Sequence, residues 1–116
     1  MRLYILNKVF LMAANNTAET FKTAWFPFEG YDSATVYLTV HSFVNPGDLA
    51  VKVFFTTEGS HEDDPGTPMN AVGPGTLPQN FAVQRATMVR FEATLTPDTD
   101  VISGVLFDID LYPDHM

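Results

Sequence analysis

The dominant period along the chain is two. Over residues 34–43, Val36, Leu38 and Val40 fall on one face, while Thr35, Tyr37, Thr39 and His41 fall on the other. Such alternation in β-branched and aromatic residues predicts a strand. Asn45-Pro46-Gly47-Asp48 then reads as a turn, because Pro presets φ and Gly tolerates unusual backbone angles. Alternation resumes over 49–57, with Leu49, Val51, Val53 and Phe55 on one face and Lys52 and Phe54 opposite. Two such runs across a short turn predict a hairpin.

The pattern recurs near the C-terminus. Over 87–96, Val89, Phe91, Ala93 and Leu95 alternate with Arg90, Glu92 and Thr94. Pro97-Asp98-Thr99-Asp100 predicts a turn, after which Val105, Phe107, Ile109 and Leu111 alternate with Leu106, Asp108, Asp110 and Tyr112. Residues 20–28 also read as extended, and Pro27 implies a sheet edge or a strand end. Gly30-Tyr31-Asp32-Ser33 leads into the 34–43 strand, and 81–84 is a short strand candidate. Residues 58–80 change character. They are acidic, then rich in Pro and Gly, and predict a long loop, or two short loops around a weak strand near 70–72. Such a loop is longer than a compact domain usually carries without a purpose, be it binding or mobility. No segment keeps a helical period beyond one or two turns; 13–19 reads as a turn of helix or a linker. No repeat of 20 to 50 residues occurs. The fold class expected is all-β, an antiparallel sandwich of jelly-roll type.

The first residues admit several readings. Met1 to Ala14 carries an early Arg and an Ala pair, as signal peptides do, but Asn7 and Lys8 interrupt its apolar stretch. Translation starting at Met12 is a second reading. A first strand or a partner-binding arm is the preferred one. The expected organisation is an arm or first strand over 1–19 and a sandwich domain over 20–116.

Composition narrows the partners. A length of 116 residues fits one domain, and 46% apolar residues suffice for a core. Charged residues make up only 17%, beside 10 Phe, 4 Tyr and 1 Trp. Part of the surface is therefore expected to be apolar or covered. Net charge is −8, from 14 acids against 6 bases. That disfavours nucleic-acid backbones and anionic membranes, and suits solubility or a basic protein partner. The absence of Cys excludes disulfides and thiolate metal sites. No apolar run approaches the roughly 20 residues that span a bilayer.

Candidate chemistry is sparse. His61 with Glu62-Asp63-Asp64 is acidic but fits no calcium-loop spacing, so no metal site is assigned. Asp108 and Asp110 share a strand face about 7 Å apart, and cross-strand pairing with Arg90 and Glu92 explains them better than glycoside hydrolysis. His41, His61 and His115 are isolated in sequence, Gly73-Pro74-Gly75 lacks the Lys of a phosphate loop, and no nucleophile elbow occurs. No catalytic residue, metal or cofactor is expected, and the chain is read as not an enzyme. Trp25, Phe26, Phe28 and Tyr31 form the richest aromatic patch. Core, protein interface and sugar platform are its three readings.

The run Met88-Val89-Arg90-Phe91-Glu92-Ala93-Thr94-Leu95, its polar turn, and Val105-Leu106-Phe107-Asp108-Ile109-Asp110-Leu111 resemble the closing strand pair of small jelly-roll domains in phage virion proteins. Trp25, then Gly30 to Val40, then Leu49-Ala50-Val51-Lys52-Val53, are similar to the opening strands of such domains. The resemblance covers about residues 20 to 112 and is a pattern of strands and turns, shared in large part by galactose-binding-like sandwiches. It implies a non-enzymatic capsid cement or decoration protein. Such a protein is made in the host cytoplasm, binds the major capsid protein on the capsid surface and forms trimers or dimers. The interface residues implied are Leu3, Tyr4, Ile5, Val9 and Phe10 of the arm with Trp25, Phe26, Phe28 and Tyr31. The alternatives are a carbohydrate-binding module and a phage tail or baseplate accessory protein.

Overall fold

Alternation decides which side of each strand is buried, and burial then decides which strands can pair. The computed structural model describes residues 3–14, 16–45, 47–56, 68–98 and 101–114. They form β1 (Leu3–Ala13), β2 (Glu19–Lys22), β3 (Phe26–Val44), β4 (Gly47–Thr56), β5 (Met69–Ala71), β6 (Gly75–Pro97) and β7 (Ser103–Asp114), with no helix among the described residues. Every pairing is antiparallel, in the order β1-β7-β3-β6-β4-β5, with β2 also on β6.

β6 has 23 residues. Straight, it would run roughly 75 Å at about 3.3 Å per residue, yet the longest dimension of the molecule is 45 Å. It therefore folds over. Residues 75–82 pair with 33–40 of β3, and residues 88–97 pair with β4. β3 bends with it: Phe26 and Pro27 oppose Val89 and Met88, and register shifts on either side of Tyr31 carry the pair round the corner. One continuous ladder thus makes two layers. The first is β1-β7-β3 with the beginning of β6. The second is β2, the remainder of β6, β4 and β5. The chain is an antiparallel β-sandwich of jelly-roll type.

The predicted hairpin over 34–57 does not form. β3 pairs with β6 and β7, β4 pairs with β5 and β6, and the turn between them crosses from one layer to the other. The reason lies in the buried faces. Val36, Leu38, Val40, Leu49, Val51 and Val53 are all at most 3% exposed and belong to one core. Facing one another across that core, the two runs bury what side-by-side pairing would leave open on one face. Asn45 takes the left-handed conformation at the crossing (φ 65°), and its Nδ2 donates to the Ile102 carbonyl at 2.8 Å. Gly47 follows where a Cβ would lie 2.9 Å from Ser103 Oγ. The 87–96 and 105–112 runs are likewise no hairpin: β7 lies between β1 and β3 in the first layer.

Residues 75–80 are strand, not loop, and Pro78 is accommodated because, among the described residues, 75–82 is an edge with β3 on one side only. The weak strand near 70–72 is β5, whereas residues 57–67 lie outside the described residues. At the N-terminus, β1 pairs with β7 from Leu3↔Leu111 to Ala13↔Ser103, so of the two preferred readings the segment is the first strand, at an edge of its own sheet, and not a free arm. Beyond it, Ala14 and Thr17 bridge around Asn16 (φ 61°) in a tight turn instead of a helical one. The largest fully buried side chains include Phe28, Phe91 and Phe107. Each such burial stabilises the fold by about 1.5–3 kcal/mol.

Candidate functional site on the outer face of the first layer

Side chains alternate along strands, so Gly104, Leu106, Asp108, Asp110 and Tyr112 point away from the core on β7. Thr35, Tyr37, Thr39 and His41 do so on β3. An irregularity between Val40 and Ser42 brings Ser42 and Val44 to the same face, opposite Leu106 and Gly104. On β1, Phe10 and Met12 also stand opposite Leu106 and Gly104. The face divides into two halves of opposite character.

The polar half is bonded within itself. Thr39 and Thr76 share a hydroxyl hydrogen bond at 3.3 Å, and Asn80 Nδ2 donates to Thr35 Oγ1 at 3.0 Å. The Tyr37 and Tyr112 rings meet edge-on, 5.2 Å between centroids. Asp108 is its centre. Between Leu6↔Ile109 and Val9↔Phe107, β1 carries an extra residue, and Lys8 takes a left-handed conformation (φ 52°). A bulge removes an amide from the ladder, and here Asp108 Oδ1 accepts the Lys8 N–H at 2.5 Å. Asp108 Oδ2 accepts from His41 Nε2 at 2.7 Å. Burial pushes the Asp108 carboxyl up. The Lys8 amide, the His41 hydrogen bond and the charges of His41 and Lys8 outweigh this and hold it below its ordinary value. One carboxylate therefore ties β1, β7 and β3 together.

The apolar half is open. Phe10, Met12, Val44 and Ile102 are each more than half exposed (54 to 56%), and Leu106 is half-buried among them. The Phe10 ring lies over Gly104, where a Cβ would come within 2.9 Å of its tip. Phe10, Met12, Ser42, Val44, Gly104 and Leu106 include no charged side chain.

The outer face of the second layer is different again. Thr23 bonds Phe91 in both directions: its N–H donates to the Phe91 carbonyl and its Oγ1 accepts the Phe91 N–H, each at 2.9 Å. Pairing resumes at Phe26↔Val89, so Ala24 and Trp25 are looped out. The Arg90 guanidinium lies 4.3 Å from the Phe54 ring centroid and 5.5 Å from that of Trp25, with Glu92 Oε2 at 3.5 Å. Arg90 is buried (8%) and sits in the opposite layer from Asp108 and Asp110. The expected cross-strand pairing of Arg90 and Glu92 with those aspartates is thus replaced by Asp108 with Lys8 and His41, and by Arg90 with Glu92.

The residues picked from sequence scatter. Phe28 is core (1%), edge-on to Phe55 at 5.4 Å. Ile5, Val9 and Phe26 are half-buried against the core, and Trp25 is half-buried beside Arg90. Phe10 is exposed. The side chains of Leu3, Tyr4 and Tyr31 lie outside the described part of the structure, as do His61, Glu62, Asp63, Asp64 and His115. Among the described residues, no group of three or more His, Asp or Glu gathers in a way that holds a metal ion. Met12, Val44, Ile102 and Leu106 were missed. Two of them carried a signal: Leu106 is in phase with Asp108 and Asp110, and Met12 with Phe10, so each places an apolar residue on an outward face.

No protein-family model and no curated protein matches the chain. Solved structures do. The VP2 subviral particle of infectious bursal disease virus matches with a TM-score of 0.65 and 9% identity, over 96% of this chain and 31% of that one. A CBM4 structure matches with a TM-score of 0.63 and 8% identity, over 92% of this chain and 84% of that one. Broad bean stain virus matches with a TM-score of 0.52 and 10% identity, over 95% and 86%. The chain spans less than a third of the VP2 chain. At these identities the likeness carries the fold.

Proposed function

We propose that this chain is a non-enzymatic virion structural protein of the capsid cement kind, made in the host cytoplasm and bound to the major capsid protein on the assembled shell. The observation that carries this reading is the gathering of exposed apolar side chains at one end of the sandwich. Val44 beside the β3–β4 turn, Val72 in the β5–β6 turn and Ile102 in the β6–β7 turn are 54, 76 and 56% exposed. In a chain with so few charges, three neighbouring turns that each offer an apolar residue form a surface suited to burial against a partner. The fold shared with virus particles supports the same reading. A protein that binds only the assembled state stabilises it by mass action, and repetition over symmetry-related positions adds avidity.

Co-sedimentation tests this. The protein is expected to pellet with assembled empty shells, to raise their melting temperature and to ignore unassembled subunits. Val72→Asp with Ile102→Asp abolishes pelleting while the domain stays folded. Equal affinity for free subunits, or pelleting by the double variant, overturns the reading. Binding to tail tubes instead of shells assigns the protein to a tail or baseplate.

A carbohydrate-binding module is the second reading. The likeness to the CBM4 structure over 84% of that chain favours it, as does the half-buried Tyr37–Tyr112 pair amid hydroxyl and carboxylate groups. It requires retardation in gels containing soluble glycans, lost in Tyr112→Ala.

A further inference from the structure

Every open sheet edge is a template for another strand, and proteins blunt such edges with charge, proline, bulges or short length. Among the described residues, most edges carry one of these devices. β5 is 3 residues long. The open edge of β6 carries Pro78, the first residues of β3 carry Pro27, and β2 carries Glu19 and Lys22. The beginning of β1 carries Lys8 in a left-handed bulge between shifted registers. The remainder of β1 has none of these. From Val9↔Phe107 to Ala13↔Ser103 its register on β7 is unbroken. The segment Val9-Phe10-Leu11-Met12-Ala13 contains no charge, Pro or Gly. Among the described residues, no strand pairs with its other side.

We infer that this segment pairs antiparallel with the same segment of a second copy of the chain, continuing the first layer across a two-fold axis. Two arguments select this occupant. Each copy carries a net charge of −8, so like copies can meet closely only over an uncharged surface, and the strip beside this edge is uncharged. The segment is also complementary to itself. With the axis at Leu11, Phe10 stands opposite the second copy's Met12 and Met12 opposite its Phe10, on one face. Cross-strand neighbours of this kind lie about 4.5–5.5 Å apart, and ring–thioether contacts are favourable. The Lys8 bulge ends the pairing at a defined residue, which fixes the register. The inference is independent of any shell, and its test uses the purified full chain alone, so its failure is distinct from that of the shell reading.

Sedimentation velocity between about 1 and 100 μM spans the usual range of modest homodimers, and is expected to show a monomer–dimer equilibrium. Phe10→Lys with Met12→Lys sets like charges along the edge and removes four apolar side chains, and with them both Phe10–Met12 contacts, per dimer. The dissociation constant should rise at least about 100-fold, with circular dichroism unchanged because both side chains are more than half exposed. Hydrogen exchange of the unmodified protein gives a reading that needs no variant: amides of 9–13 become slower as concentration rises. A monomer throughout the range, a dimer that persists in the lysine variant, or protection that grows elsewhere and not at 9–13 overturns the inference.

Discussion

The two halves of the first layer's outer face share three strands and one alternation, yet they end in opposite states. In the polar half, Asp108 holds Lys8 and His41, Thr39 holds Thr76, and Asn80 holds Thr35. In the other half, Phe10, Met12 and Val44 point outward with more than half their surface in water. Two local features separate them: the left-handed Lys8, which delivers an amide to Asp108, and Gly104, which leaves room for the tip of the Phe10 ring over β7. A surface bonded within itself gains little from a partner, because burying it would strip water without adding bonds. An open apolar surface gains about 25 cal/mol for each Å² covered.

The sharpest test sets two phenylalanines side by side. Phe107 on β7 is fully buried, and Phe10 on the neighbouring strand is 54% exposed. Phe107→Ala is expected to cost about 3–5 kcal/mol in urea unfolding. Phe10→Ala should cost about 0.5 kcal/mol or less in the monomer. Comparable costs would mean that the apolar half belongs to the core.

Asp108→Ala comes next. It leaves the bulged Lys8 amide without its acceptor and His41 without its carboxylate, so a loss of about 1–3 kcal/mol is expected. A loss below about 0.3 kcal/mol would show that the polar half is not held at this residue. The pH dependence follows from the same group. Its folded-state pKa lies below the unfolded one, so near the ordinary carboxylate range the unfolded chain binds more protons. The contribution is full above the unfolded pKa, about 3.9, and is lost as pH falls through the folded value. Acid unfolding of Asp108→Asn should therefore be less steep in that window than that of the unmodified chain. Equal slopes would remove Asp108 as a source.

The alternation that marks 36–40, 49–55, 89–95 and 105–111 made the buried faces legible, because period two is a local property. Pairing was not legible in the same way. A run with one fully buried face satisfies a hairpin and a layer crossing equally well. Only the rest of the core decides that Val40 and Leu49 enter it from opposite layers. Pro78 hid the beginning of β6, since an edge position that tolerates proline is known only once the neighbours are. Phe10 was picked from sequence as part of an arm or first strand, and it stands exposed on β1. Leu106 and Met12 were readable as apolar residues at outward phase, but Val44 depends on the irregularity after Val40, which no periodicity announces.

The smallest expected effect probes the boundary of the open half. A Cβ at Gly104 would sit 2.9 Å from the tip of the Phe10 ring and 3.3 Å from its next nearest atom. Those atoms are the far end of a side chain that is half in water, so the ring swings aside and the backbone stays. Alanine also removes the entropy cost of glycine in a strand, about 0.5–1 kcal/mol. The two effects oppose each other, and Gly104→Ala should change stability by less than about 1 kcal/mol in either direction. The position of the ring should still change. The aromatic resonances of Phe10 should move, while those of Phe107, on the buried side of β7, should not. If both sets move together, the Phe10 ring is coupled to the core and the division of this face into a closed and an open half fails.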